Sequence, residues 1–249
     1  MKILLSGATG QMGKAITEVV ASHNRDEIVA GYAKEKTTDL PYPVYDTLNI
    51  DEDVDVIIDF SSPAALDELL NFATEKNLGI VLAATGYSEE EVSKINEASK
   101  NIPILYSGNL SLGVNVMQII AEKLAHMLSD FDIEIVEKHH RYKVDSPSGT
   151  AKMLFEAVNR GRDEKLNALQ GRDGFYKERP ITEVGVSSLR GGNIVGEHTL
   201  YYCGEDEVIE LKHIAASKKI FANGAIKAAR FLIDRKPGLY NMNDVLVED

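Results

Sequence analysis

The densest run of side chains able to do chemistry lies between Glu137 and Ala151 and reads Glu-Lys-His-His-Arg-Tyr-Lys-Val-Asp-Ser-Pro-Ser-Gly-Thr-Ala. Two histidines, an arginine and a lysine fall within the five positions from His139 to Lys143. An imidazole titrates near neutrality and can hand over a proton there, while neighbouring cations hold a carboxylate by charge-assisted hydrogen bonds. In extended chain His139, Arg141 and Lys143 face one side and His140 the other, so a bend is needed to gather them. Pro147 and Gly149 offer one. Ser148, Gly149 and Thr150 then stand where a helix should begin, with Thr150 as its expected cap. Free N–H groups and a hydroxyl at a helix start suit a carboxylate. A metal fits poorly, because the histidines are sequence neighbours with no nearby cysteine and no helical spacing. A merely solvated charge run would leave the capping turn unexplained.

A second constellation opens the chain. Gly7-Ala8-Thr9-Gly10-Gln11-Met12-Gly13 follows an apolar strand and precedes an amphipathic helix. Glycines there permit a tight turn, let the backbone approach a pyrophosphate, and aim helix N–H groups at it. Two further strand ends, Ala83-Ala84-Thr85-Gly86 and Ser107-Gly108-Asn109-Leu110, should complete the crevice for a dinucleotide. NAD-selective proteins place an acid at the tip of the second strand. Here Ala33 stands at the tip, followed by Lys34, Glu35 and Lys36. Ala33 brings no carboxylate to repel a 2′-phosphate, and Lys34 can pair with one. The expected cofactors are therefore NADPH and NADH, with NADPH favoured.

The elements that must position these groups follow from periodicity. Short aliphatic runs at 2–5, 27–32, 54–60, 79–83 and 103–106 read as parallel strands buried on both faces. Between them, Met12, Ile16, Val19 and Val20 share one helical face, as do Leu66, Leu69, Leu70 and Ala73. Alternating strand and helix imply a parallel sheet with right-handed crossovers. The pattern changes beyond Asn109. A helical stretch at 112–128 leads into an alternating strand at 131–137, and a helix should start at Thr150. Three strand-like segments follow at 182–188, 194–202 and 207–213, which suggests a separate α+β domain with a mixed or mostly antiparallel sheet. The polar stretch 159–179 reads as a loop or arm. Phe221, Ala225, Ala228 and Leu232 mark a last amphipathic helix.

Composition narrows the function. Of the 249 residues 44% are hydrophobic and 27% charged, as in ordinary globular proteins, and the formal net charge is −12. Such a balance argues against nucleic acid, which needs a basic face. A single cysteine, Cys203, rules out an intramolecular disulfide and is read as a packing residue. No stretch reaches the ~18 apolar residues of a membrane span, and the N-terminal apolar run is too short for a signal peptide. A cytoplasmic protein is expected.

On these residues the chain resembles the 4-hydroxy-tetrahydrodipicolinate (dihydrodipicolinate) reductase family of bacterial lysine and diaminopimelate synthesis. The likeness rests on Gly7 to Gly13, Val56-Ile57-Ile58-Asp59-Phe60, Thr85-Gly86 and Asn109-Leu110-Ser111-Leu112-Gly113-Val114-Asn115. It also rests on Val195-Gly196-Glu197-His198-Thr199, Phe221-Ala222-Asn223-Gly224-Ala225 and, above all, the string from Glu137 to Ala151. The resemblance implies a Rossmann-like domain at 1–110 plus 220–249, and an α+β substrate domain at 111–219 whose sheets assemble a homotetramer. It implies reduction of a small cyclic dicarboxylate, with His139 as general acid and Lys143 as a second proton donor that also holds substrate. His140, Ser148, Gly149 and Thr150 would bind the substrate with Lys143. Gly7, Ala8, Thr9, Gly10, Gln11, Met12, Lys34, Ala83, Ala84, Thr85, Ser107, Gly108, Asn109 and Leu110 would line the cofactor. The chain departs from the family where Gly-Thr is replaced by Ala83-Ala84, a common Arg by Gln11, and an acid by Ala33.

Two other readings use the same residues. A dinucleotide-sensing regulator would share the glycine turn but leave the His139–Thr150 cluster idle. A short-chain dehydrogenase needs a Tyr-x-x-x-Lys pair beside the nicotinamide. Tyr32 and Lys36 have that spacing, but they lie at the adenosine end.

Overall fold

Aliphatic runs long enough to cross a sheet, separated by helices with one apolar face, give the chain its element order. A computed structural model describes every residue except Asn24, Lys36, Thr38, Glu164, Tyr176, Glu248 and Asp249. The chain runs β1 (Lys2–Ser6), α1 (Gln11–Ala21), β2 (Glu27–Tyr32), β3 (Val44–Tyr45), β4 (Val56–Asp59), α2 (Leu66–Lys76), β5 (Gly79–Leu82), α3 (Glu89–Ala98), β6 (Pro103–Tyr106) and α4 (Leu112–Met127). It continues with β7 (Asp132–His139), α5 (Gly149–Arg160), β8 (Asn167–Leu169), β9 (Glu183–Arg190), β10 (Gly196–Cys203) and β11 (Val208–Ala215), and ends with α6 (Lys219–Leu232), β12 (Gly238–Tyr240) and α7 (Met242–Leu246). Two compact units result: Met1–Leu112 with Lys218–Asp249, and Gly113–Ser217.

The first unit holds a seven-stranded sheet in the order β12-β6-β5-β4-β1-β2-β3, with every pairing parallel. Strand order reverses between β1 and β4, the Rossmann switch point where ligands meet the carboxyl ends of strands. Successive residues alternate faces, and both faces are buried. Ile3, Leu5, Val56, Ile58 and Val81 share a core with Ile16 and Val19 of α1 and the small residues of α6. Leu4, Ile57, Ile80, Leu82 and Ile104 pack with Leu66, Leu69 and Leu70 of α2 and Ile95 of α3. Glycine lets α6 come close, since a Cβ at Gly224 would stand 1.7 Å from the Leu110 carbonyl oxygen. The edge strands β3 and β12 have two and three residues, too few to show a period in sequence.

The second unit is a mixed sheet in the order β11-β10-β7-β9-β8. β7 pairs antiparallel with β10 and parallel with β9. Burial alternates strictly along β7. One face carries Ile133, Ile135, Leu200 and Tyr202 against Met117, Ala121, Leu154 and Val158 of α4 and α5. The Tyr202 hydroxyl satisfies its buried end on the Ala121 carbonyl at 2.8 Å. The opposite face leaves Leu189, Val208 and Ile214 about half exposed. Lys138 and Lys212 flank Glu197 on that face at 3.6 Å each.

Two expectations from sequence need correction. The stretch 159–179 is not all loop, because it contains the end of α5 and the short strand β8 beside β9. Thr150 is not the cap of α5. The Ser148 hydroxyl accepts the Ala151 N–H at 3.1 Å and the helix opens at Gly149. A capping side chain serves the N–H three residues ahead, so the cap belongs at Ser148, with Thr150 inside the first turn.

Candidate active site

In the second unit the site begins with a fully buried carboxylate. Glu137 is 0% exposed, on the covered face two residues before His139. The Arg190 guanidinium donates to both of its oxygens, at 2.8 and 2.7 Å, in the bidentate geometry that best stabilises a buried carboxylate. The Ser148 N–H adds a third bond at 3.1 Å, and His139 Nδ1 lies 2.6 Å from Oε2. Burial by itself raises the Glu137 pKa, but the bonds from Arg190, His139, Ser188 and Ser148 outweigh it and hold the carboxyl down at about 2. Glu137 is thus ionised, and His139 Nδ1 is the donor to it. This fixes the tautomer and leaves Nε2 for a ligand. Space beside Nε2 is kept by Gly196, where a Cβ would stand only 3.1 Å away.

His139 is 8% exposed. Burial pulls its pKa below the ordinary imidazole value, Glu137 pulls it back up, and Lys143 and Arg190 add to the lowering. Its ring meets that of His198 edge-on, with centroids 5.1 Å apart. Burial, then the neighbouring His139, push His198 down to about 4, so this imidazole is neutral. Its Nε2 lies 2.9 Å from the Ser148 hydroxyl, which ties the start of α5 to β10.

Beyond His139 the strand ends and the chain turns, so the alternation expected for Arg141 and Lys143 does not apply. Lys143 Nζ donates to Asp145 at 2.7 Å, and this bond is the main reason the Asp145 carboxyl lies below its usual range. Arg190 also donates to the Asp145 carbonyl at 2.7 Å, anchoring the turn. His140 is half-buried, and its Nδ1 has no hydrogen-bond partner among the described residues. Gly149 is exposed at the first position of α5 with nothing within 4 Å of a Cβ built there, and Thr150 is half-buried beside it. Ser148 is 2% exposed, with its hydroxyl and N–H both engaged inside the protein.

Sequence reasoning names Glu137 within the polar cluster and His198 only within the family likeness, both without a task, and misses Arg190. Glu137 had a local signal, a carboxylate two positions before a histidine on one strand. Arg190 and His198 had none. They arrive by register, Arg190 opposite His139 on β9 and His198 opposite Glu137 on β10.

The first unit fits a dinucleotide. Gly7 has φ +77°, and a Cβ there would lie 2.8 Å from the Phe60 carbonyl group. A Cβ at Gly13 would lie 2.4 Å from the carbonyl oxygens of Gly7 and Ala8. Gly10 caps α1 with no side chain across the helix start, which leaves that end open to an anion. Lys218 Nζ donates to Gln11 Oε1 at 2.6 Å, bringing to this helix start a cation that the sequence did not announce. Ala83, Ala84 and Thr85 follow β5. Ser107 and Asn109 after β6 lock their turn through the bonds Ser107 Oγ to the Asn109 carbonyl at 2.9 Å and Ser111 N–H to Asn109 Oδ1 at 2.9 Å. Ala33 is buried and Lys34 exposed, while Lys36 lies outside the described residues. A cleft of about 630 Å³ beside α1 has Thr9, Lys14 and Thr37 in its wall, but also Glu35 and Asp39.

Two family models match the chain. The family model described as dihydrodipicolinate reductase, N-terminus, matches residues 1–110, and that described as dihydrodipicolinate reductase, C-terminus, matches residues 113–246. The chain belongs to the dihydrodipicolinate reductase family. Among its relatives, the 4-hydroxy-tetrahydrodipicolinate reductase of Clostridium tetani is 45% identical over 248 residues, covering 99% of this chain and 97% of the relative. The protein of the same name from Caldanaerobacter subterraneus subsp. tengcongensis is 44% identical over 247 residues, covering 99% and 98%. The dipicolinate-bound dihydrodipicolinate reductase of Paenisporosarcina sp. TG-14 shares the fold, with a TM-score of 0.82 at 20% identity over 98% of both chains. In this member of the dihydrodipicolinate reductase family, the gap between the two matches falls where the first compact unit gives way to the second.

Proposed function

We propose that the chain reduces 4-hydroxy-tetrahydrodipicolinate to tetrahydrodipicolinate, with loss of water, as a step of lysine and diaminopimelate synthesis. The observation that carries the proposal is His139, held by its Nδ1 on a buried, ionised Glu137 next to an open helix start at Gly149. A bound reduced nicotinamide supplies the hydride. The unsaturated imine ring that accepts the hydride becomes electron-rich and needs a proton, and His139 delivers it through Nε2. Lys143 shares this work and grips a ring carboxylate by charge. His140, Gly149 and Thr150 take the carboxylates, using the N–H groups of α5's first turn. Ser148, its own donors already engaged, acts by holding that turn in place.

Gly7, Ala8, Thr9, Gly10, Gln11 and Met12 hold the pyrophosphate, while Ala83, Ala84, Thr85, Ser107, Gly108, Asn109 and Leu110 line the nicotinamide side. Both NADPH and NADH serve, with Lys34 favouring NADPH through its 2′-phosphate. Glu35 and Asp39 in the adjoining cleft keep that preference modest. The half-exposed apolar residues of the second sheet suit a subunit interface, and the working form is a homotetramer in the cytosol.

The test is a coupled assay that follows oxidation of NADPH and NADH with freshly generated hydroxytetrahydrodipicolinate. His139→Gln should lower kcat by roughly 10²–10⁴-fold while dinucleotide affinity stays unchanged. A parent that binds dinucleotide without turnover would favour the sensing regulator instead. An unchanged kcat in the variant would leave proton delivery to Lys143 or water.

A further inference from the structure

At the carboxyl end of the first sheet one row of residues departs from the apolar rule. Ser6 of β1, Asp59 of β4, Leu82 of β5 and Tyr106 of β6 are register neighbours on a single face, the one packed with α2 and α3. Asp59 and Ser6 are both 0% exposed. Tyr87 stands over the row with its ring edge-on to Tyr106, centroids 5.6 Å apart. Asp59 Oδ1 accepts twice from one residue, the Ser61 N–H at 3.0 Å and the Ser61 hydroxyl at 2.6 Å. Its Oδ2, the Ser6 hydroxyl and the Tyr87 hydroxyl are buried without a hydrogen-bond partner among the described residues.

Burying a carboxyl in a hydrophobic layer costs stability that its hydrogen bonds must offset, so its place here calls for a task. Its surroundings say what. The Phe60–Ser61 peptide, which Oδ1 holds, is the surface Gly7 packs against: a Cβ at Gly7 would lie 2.8 Å from Phe60 C and O and 2.9 Å from Ser61 N. The Asp59 carbonyl accepts the Ala83 N–H at 3.0 Å, and the Phe60 N–H donates to the Ser6 carbonyl at 3.1 Å. Asp59 therefore ties together the exits of β1, β4 and β5, the first of which opens the glycine turn. We propose that Asp59 is a positioning residue for the dinucleotide, its carboxyl group fixing the Phe60–Ser61 turn against Gly7 so that the glycine turn is held in its binding shape. This rests on the dinucleotide reading of the first unit.

Burial pushes the Asp59 pKa upward, against the opposing hydrogen bonds from Ser61. An amide keeps the oxygen that accepts from Ser61 in nearly the same shape, whereas alanine loses it.

Dissociation constants for NADH and NADPH, measured by fluorescence titration on the full-length parent, Asp59→Asn, Asp59→Ala and Ser61→Ala, test this alongside thermal unfolding. Asp59→Asn should bind both dinucleotides within about threefold of the parent, and Asp59→Ala should lose roughly tenfold for both alike. Ser61→Ala, on a half-exposed turn, should fall between them. The proposal fails if folded Asp59→Ala binds as the parent does, or if Asp59→Asn loses as much as Asp59→Ala. Should Asp59→Ala not fold, parent-like affinity in Ser61→Ala overturns the proposal on its own. A parent with no affinity for either dinucleotide overturns the underlying reading of the unit as well, which separates the two failures.

Discussion

Replacing Glu137 by Gln probes the site at its most buried point. The change removes one negative charge and turns one of two acceptor oxygens into a donor. Arg190 then has a single good acceptor where it had a fork at 2.8 and 2.7 Å, and in either orientation it meets an amide N–H, together with His139 or the Ser148 N–H. Breaking a buried pair from one side costs about 3–5 kcal/mol, and the retained carbonyl puts Gln at the lower end. The effect on chemistry is separate. Glu137 is what raises the His139 pKa against burial. A charged hydrogen bond contributes about 1.5–3 kcal/mol and one pKa unit is about 1.4 kcal/mol, so losing the carboxylate should lower the His139 pKa by roughly one to two units. A general acid works while protonated, so kcat/KM falls as pH rises through its pKa. In Glu137→Gln that fall should move to lower pH by roughly one to two units, with activity recovering on acidification. Profiles of kcat/KM between about pH 5 and pH 9 for parent and variant give the answer. If activity drops but the midpoint stays put, Glu137 serves the fold alone and the tautomer argument is wrong. Stability adds an independent sign. A carboxyl depressed to about 2 stabilises fully above its unfolded value near 4.5 and loses that contribution as pH falls toward 2. Acid unfolding of the parent, but not of the variant, should show this loss.

Lys143→Ala should raise KM and lower kcat together if, as proposed, one ammonium both grips a carboxylate and stands by the reacting ring. A change in KM alone would reduce Lys143 to a binding residue. Lys34→Ala should erase most of the NADPH preference and leave NADH kinetics nearly untouched. Equal losses with both cofactors, or a parent that prefers NADH, would make Lys34 a surface charge and shift attention to Glu35 and Asp39. Ile214→Asp, on the open face where Ile214 is 59% exposed, should dissociate the proposed homotetramer, as read by sedimentation of the folded protein. A monomeric parent would remove that interface altogether.

Much of the first unit can be read directly from sequence, because five of its seven strands declare themselves within a few residues. Ile3-Leu4-Leu5 and Val56-Ile57-Ile58 are buried on both sides, and Gly7 and Gly13 sit where a Cβ would strike backbone. The His139 cluster is legible for the same reason, being contiguous. What stays hidden is whatever needs the third dimension. Arg190 follows Glu137 by more than fifty positions, and only the parallel pairing of β7 with β9 brings it to the carboxylate. Ser148 against Thr150 is a matter of which hydroxyl reaches the N–H of Ala151, and a two-residue shift changes the answer. Asp59 ends an aliphatic run as surface acids often do, and nothing in the local pattern marks it as buried.

The helix α6 belongs to the first unit, yet it is made only after the whole of Gly113–Ser217. It covers Ile3, Leu5, Val56 and Val81 with Ala222, Ala225, Ala229 and Leu232. On a ribosome, the segment ending at Leu112 therefore emerges with one side of its sheet covered only in part, by α1. At 5–20 residues per second that side waits on the order of ten seconds for its cover. The intervening segment contains all five strands of its own sheet and can close on itself meanwhile. The nascent chain should thus mature in reverse of its numbering, the later unit first and the earlier one only once α6 has emerged. A stop codon after Ser217 would then spare the second unit's core and leave the dinucleotide unit, although its glycine turn is intact, an exposed sheet prone to aggregate.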